Sequence, residues 1–69
     1  MISVQLNGEW HELGDGATVA DAVTLLGIEL DTRGVAVAVD REVVRRGAWE
    51  ETVLTAGARV EILTAIQGG

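Results

Sequence analysis

The sequence predicts a two-layer α+β domain, and three observations carry that prediction. Short segments of alternating or continuous apolar character recur along the chain. One stretch in the first half repeats apolar residues at helical spacing. A single helix can cover only one face of the sheet those strands would form. Each element follows from its residues. Ile2, Val4 and Leu6 alternate with Ser3 and Gln5, the pattern of a half-buried strand. Asn7-Gly8 is the strongest short signal for a two-residue hairpin turn, and Glu9 to Leu13 is the partner strand. In that register Leu6 faces Glu9 and Gln5 faces Trp10, so His11 and Leu13 point to the core and Trp10 to the other side.

Gly14-Asp15-Gly16 reads as a loop. Thr18 is placed as a helix N-cap, with Asp21 three residues on as a capping-box partner. Val19, Ala22, Val23 and Leu26 give one apolar face, and Gly27 suits a left-handed helix end. Ile28 and Leu30 are expected to cover the open end of the core. Gly34 precedes a strand over Val35 to Val39, with valines on one face and Ala36 and Ala38 on the other. Asp40 to Glu42 turn the chain into Val43-Val44, a short strand. Arg45 to Trp49 lead into Glu50-Glu51, where one helical turn with acids near its N-terminus is expected. Trp49 is expected over the sheet edge. Ala56-Gly57 is a turn. Arg59 to Ile66 is the last strand, with Val60 and Ile62 inward and Leu63 and Ala65 outward. The expected organisation is one domain over residues 1–66, followed by a flexible tail over 67–69.

Composition narrows the function. Sixty-nine residues, 48% apolar, make one small domain. Val, Ile and Leu supply 21 residues and Phe and Tyr none, so the core is aliphatic. The absence of cysteine excludes disulfides, thiolate metal ligands and cysteine nucleophiles. A net charge of −6 argues against nucleic acid or anionic membrane as a partner. All five basic residues are arginines, so Schiff-base chemistry on lysine is excluded. No apolar run approaches membrane-spanning length and no signal peptide is visible. A cytoplasmic protein is expected.

Few residues invite chemistry. His11 is the single histidine and has no evident nucleophile beside it in sequence. Gly14-x-Gly16 before a helix faintly suggests phosphate binding, but the third glycine is missing and Asp15 is negative. No acidic pair has a metal-ligand partner, so no metal site is expected. Arg41, Arg45 and Arg46 form a small basic cluster, and Trp10 is a candidate interface residue. The C-terminus is different. Gly68 and Gly69 pack nothing, and ordering them is entropically costly. A Gly-Gly tail can, however, thread a narrow channel and present its terminal carboxylate. An ionised carboxylate resists nucleophilic attack, so an ATP-using partner would first have to convert it to an acyl adenylate.

The strand–strand–helix–strands order ending in Gly-Gly resembles the ubiquitin-like β-grasp sulfur carriers, and the thiamine-biosynthesis ThiS family in particular. Leu6-Asn7-Gly8-Glu9 is similar to that family's first hairpin and Thr18-Val19-Ala20-Asp21 to its helix start. Val35 to Asp40, Val43-Val44 and Trp49 are similar to its central segment. Gly57 to Gly69 resembles its C-terminal block. Arg45 and Ala58 depart from the family pattern, both in turns.

The resemblance implies a mixed five-stranded sheet, with the first and last strands adjacent and parallel at its centre. It implies that an E1-like enzyme adenylates the Gly69 carboxylate with ATP. A cysteine desulfurase or rhodanese relay then supplies sulfur for a thiocarboxylate, and thiazole synthase takes that sulfur. On this resemblance the chain is a protein co-substrate and not an enzyme. It binds no cofactor itself, and its Gly-Gly end needs no processing. The small subunit of molybdopterin synthase, a carrier for cysteine synthesis, a protein modifier and a plain interaction module are the alternatives. For docking, the sheet face away from the helix is expected to carry Ser3, Gln5, Trp10, Ala36, Ala38, Leu63 and Ala65, with few charges. Leu63 would be the apolar anchor and Arg59 a rim contact, with Ile66 and Gln67 leading into the tail.

Overall fold

The computed structural model describes residues 1–65. Seven elements follow in order: strands β1 (Ile2–Leu6) and β2 (Glu9–Leu13), helix α1 (Val19–Leu25), strands β3 (Val35–Val39) and β4 (Glu42–Val44), a 3-10 turn (Arg46–Ala48), and strand β5 (Arg59–Thr64). The sheet order is β2-β1-β5-β3-β4. β1 and β5 run parallel, and the other neighbours are antiparallel. The expected mixed sheet with parallel first and last strands at its centre is therefore present.

The hairpin register is as read from sequence, with Leu6 opposite Glu9 and Gln5 opposite Trp10. Asn7 and Gly8 both have positive φ, 51° and 86°, which the tight hairpin turn requires and Asn-Gly supplies. One face of the sheet presents Val4, Leu6, Leu13, Val37, Val60 and Ile62. Val19, Ala20, Ala22 and Val23 of α1 meet them in a single core with Ala17, Trp49, Leu54 and Ala58. No side chain in that core is charged or polar apart from the indole N–H of Trp49.

The helix start is well satisfied. Thr18 Oγ1 accepts from Asp21 N at 3.3 Å, and Thr18 N donates to Asp21 Oδ2 at 2.8 Å, so both halves of the capping box form. Val19 N donates to Thr52 O and Ala20 N to Trp49 O. The first N–H groups of α1 are thus all engaged within the protein. That removes the phosphate reading of Gly14-x-Gly16, because such a site needs those donors free. Gly27 has φ +80° and ends the helix as expected.

Four expectations need correction. Trp49 is 2% exposed and lies in the core, not over the sheet edge. The 3-10 turn brings the chain back beneath the helix start, and Trp49 Nε1 donates to Val44 O at 2.9 Å. That turn precedes Glu50 and Glu51, so no acid lies near its N-terminus. Leu30, 37% exposed, does not join the core; Ile28 packs against it as expected, together with half-buried Leu26. The last strand ends at Thr64, not Ile66. Ile66 and the expected tail over 67–69 lie outside the described residues. Among the described residues no helix is long and apolar enough to cross a membrane.

Candidate functional site

The site of interest is the end of β5, where the chain leaves the sheet toward its C-terminal glycines. β5 is the central strand, held on both flanks. Toward β3 the pairing runs from Val39 opposite Val60 to Val35 opposite Thr64. Toward β1 it covers only Gln5 with Arg59 and Leu6 with Val60, because the hairpin turns the chain away at Asn7. The backbone N–H of Asn7 still donates to Val60 O at 2.9 Å. Its side chain then takes over. Asn7 Oδ1 accepts from Ile62 N at 2.7 Å and Nδ2 donates to Ile62 O at 3.1 Å. One amide side chain replaces a missing strand residue and satisfies the N–H and C=O that β5 turns toward β1. The sequence marked Asn7 only as a turn residue, and its second role is visible only once β5 lies beside it.

The outer face of the sheet brings together most of the residues expected there. Ala36 pairs with Leu63, and Ala38 lies between Glu61 and Val43. Leu63 is 65% exposed and Trp10 61%. Ala36, Arg59 and Ala65 are also exposed, and Ala38 is half-buried. Val43, at 81% exposure, extends the apolar area beside Ala38 and was not singled out from sequence. Pairing Val43 with outward-facing Ala38 is the signal that shows it. The expected scarcity of charge needs correction. The pairings Ser3–Glu12 and Ala38–Glu61 put two carboxylates on this face, beside Arg59. A shallow groove of about 480 Å³ runs between Gln5, Asn7, Gly8, Arg59, Glu61 and Leu63. Ile66, Gln67, Gly68 and Gly69 lie outside the described residues.

The basic cluster does not hold together. Arg46 stacks over the Trp49 ring, 4.5 Å from its centroid, and donates to the carbonyls of Leu30 and Thr32. It clamps the loop between α1 and β3. Arg41 instead borders a small hollow with Gln5, Asp40, Gly57 and Arg59. His11 is half-buried on the core side of β2, and its Nε2 is buried without a hydrogen-bond partner. No group of three His, Asp or Glu side chains suited to a metal ion occurs among the described residues.

The family model of the ThiS family matches residues 4–69. The chain belongs to the ThiS family. The crystal structure of the thiamine biosynthesis protein ThiS from Geobacter metallireducens is similar at 28% identity. It covers 99% of this chain and 100% of that one, with a TM-score of 0.73. An NMR solution structure of a thiamine biosynthesis protein from the same organism superposes with a TM-score of 0.78. It covers 99% of this chain and 88% of that one, and at 24% identity it speaks for the fold alone. No curated protein gives a significant match. The resemblance read from the hairpin, helix start and C-terminal block is therefore correct. The molecule is a ThiS-like sulfur carrier of β-grasp fold.

Proposed function

We propose that the chain carries sulfur for the thiazole ring of thiamine, with the carboxylate of Gly69 as its reactive group. The observation that carries this reading is the family match, which runs through the last residue. The central position of β5 supports it, because the last described strand before the C-terminal residues is paired on both flanks. An E1-like enzyme attacks ATP with the Gly69 carboxylate, forming an acyl adenylate and releasing pyrophosphate. A persulfide sulfur from a cysteine desulfurase or rhodanese relay displaces AMP to form an acyl disulfide. Attack of a second thiol on the relay sulfur breaks the S–S bond, leaving a protein disulfide and releasing the thiocarboxylate. Thiazole synthase consumes that sulfur and returns the carboxylate.

In this scheme the chain is a co-substrate and not a catalyst. ATP belongs to the activating partner, and the reactions take place in the cytoplasm. Glycine at 68 and 69 lets the tail enter a narrow channel without side-chain obstruction. The outer sheet face docks on the activating enzyme. Leu63 is its apolar anchor, Ala36, Ala38 and Ala65 its smooth surround, and Arg59 its rim, while Ile66 and Gln67 bridge to the tail. Deleting Gly68-Gly69 tests the scheme. The truncated chain should fold normally and support no ATP–pyrophosphate exchange by the activating enzyme. Exchange at the full-length rate would exclude Gly69 as the reactive group.

A further inference from the structure

Gly34 stands apart from the other glycines among the described residues. A Cβ placed at Gly8, Gly14, Gly16, Gly27, Gly47 or Gly57 would meet nothing within 4 Å. A Cβ at Gly34 would lie 2.8 Å from Ala65 Cβ, 3.7 Å from its N and 3.8 Å from its Cα. Carbon atoms in contact sit about 3.5–4.0 Å apart. Ala65 has no rotamer to move aside, so its backbone would have to shift. Gly34 also has φ +75°, and its carbonyl accepts from Ala65 N at 2.7 Å. This bond continues the β3–β5 pairing one residue beyond its last pair, Val35 with Thr64.

The other flank offers less. β1 and the Asn7 amide reach only as far as Ile62. Among the described residues, the hydrogen bond furthest along the chain beyond β5 is the one from Ala65 N to Gly34 O. Only four residues, a reach of at most roughly 14 Å, separate Ala65 from the terminus, so there is little chain length to absorb a displacement at Ala65.

We infer that Gly34 is a positioning residue for the reaction at Gly69: by admitting Ala65 to close approach, it sets the direction in which the tail leaves the sheet. The inference rests on the proposed carrier role. A Gly34→Ala chain should still dock through the Leu63 anchor and its Ala36 and Ala38 surround, which the substitution does not contact, but should present its carboxylate off line. A misplacement approaching 1 Å costs on the order of ten- to a hundredfold in turnover.

The test is steady-state thiocarboxylation by the activating enzyme with ATP and sulfide, followed by intact mass. Gly34→Ala should lower kcat by that factor, with KM for the carrier within about twofold of wild type, as expected for lost orientation alone. Adding Ala65→Gly removes the second Cβ and should restore kcat to within a few-fold. Ala65→Pro, which deletes the N–H bonded to Gly34 beyond the last strand, should also lower kcat. A folded Gly34→Ala chain with wild-type kcat would overturn the inference, as would a folded double variant without recovery. If Gly34→Ala does not fold, unchanged kcat in Ala65→Pro overturns it. A wild-type chain that is not modified at all would instead remove the carrier role, and the inference with it.

Discussion

Replacing Asn7 separates two jobs that one residue performs. Asn7 sits at φ 51° and bonds both backbone groups of Ile62. Asn7→Gly keeps the turn but removes the amide. Each lost hydrogen bond is worth about 0.5–1.5 kcal/mol net, and the Ile62 groups are only partly buried, so water replaces part of the loss. The expected cost is roughly 1–2 kcal/mol. Asn7→Ala loses the amide and also the short polar side chain by which asparagine tolerates the left-handed region, adding about 1 kcal/mol. The chain as a whole holds roughly 3–10 kcal/mol, so the alanine variant forfeits a large share. Urea unfolding followed by the fluorescence of buried Trp49 measures all three proteins, with midpoints ordered Asn, then Gly, then Ala. An Asn7→Gly chain within about 0.3 kcal/mol of wild type would refute the claim that the amide holds β5, since even one lost bond should exceed that.

Leu26 is half-buried at the helix end, so Leu26→Ala should cost about 1–2 kcal/mol, less than the 2–5 typical of a fully buried leucine, as read by thermal melting. Trp49→Phe removes the donor to Val44 O and should cost about 1–2 kcal/mol in urea; an unchanged midpoint would show the bond is not needed. Leu63→Glu places a charge on an exposed site and should change stability by no more than about 0.5 kcal/mol while weakening binding to the activating enzyme. Unchanged affinity, measured by calorimetry, would remove this face from the interface.

The elements legible in sequence are those whose reason is local. The Asn7-Gly8 turn fixes the β1–β2 register, Thr18 and Asp21 fix the helix start, and Gly27 its end. What sequence did not show depends on contacts between distant segments. Trp49 is flanked by Ala48 and Glu50 and carries no periodic signal, and its burial follows from the 3-10 turn folding under α1. Ala17 and Leu54 meet in the core where Leu54 N–H bonds Ala17 O, a pairing between loops, and Ala58 is brought in where its carbonyl accepts from Gln5 N. At the site, the outward direction of Leu63 and the exposed alanines followed from alternation. The charges of Glu12 and Glu61 obey the same alternation and should have been included. Gly34 read as a residue before a strand, because its close approach to Ala65 exists only once β3 and β5 lie side by side.

The central claim is that the C-terminal carboxylate becomes a thiocarboxylate. Its most direct test is the intact mass of the full chain after incubation with an activating enzyme from the same organism, ATP and sulfide. The account predicts a gain equal to replacing one oxygen by sulfur, located by fragmentation at Gly69 and absent without ATP. An unchanged mass, with an enzyme that is competent on another carrier, would contradict it.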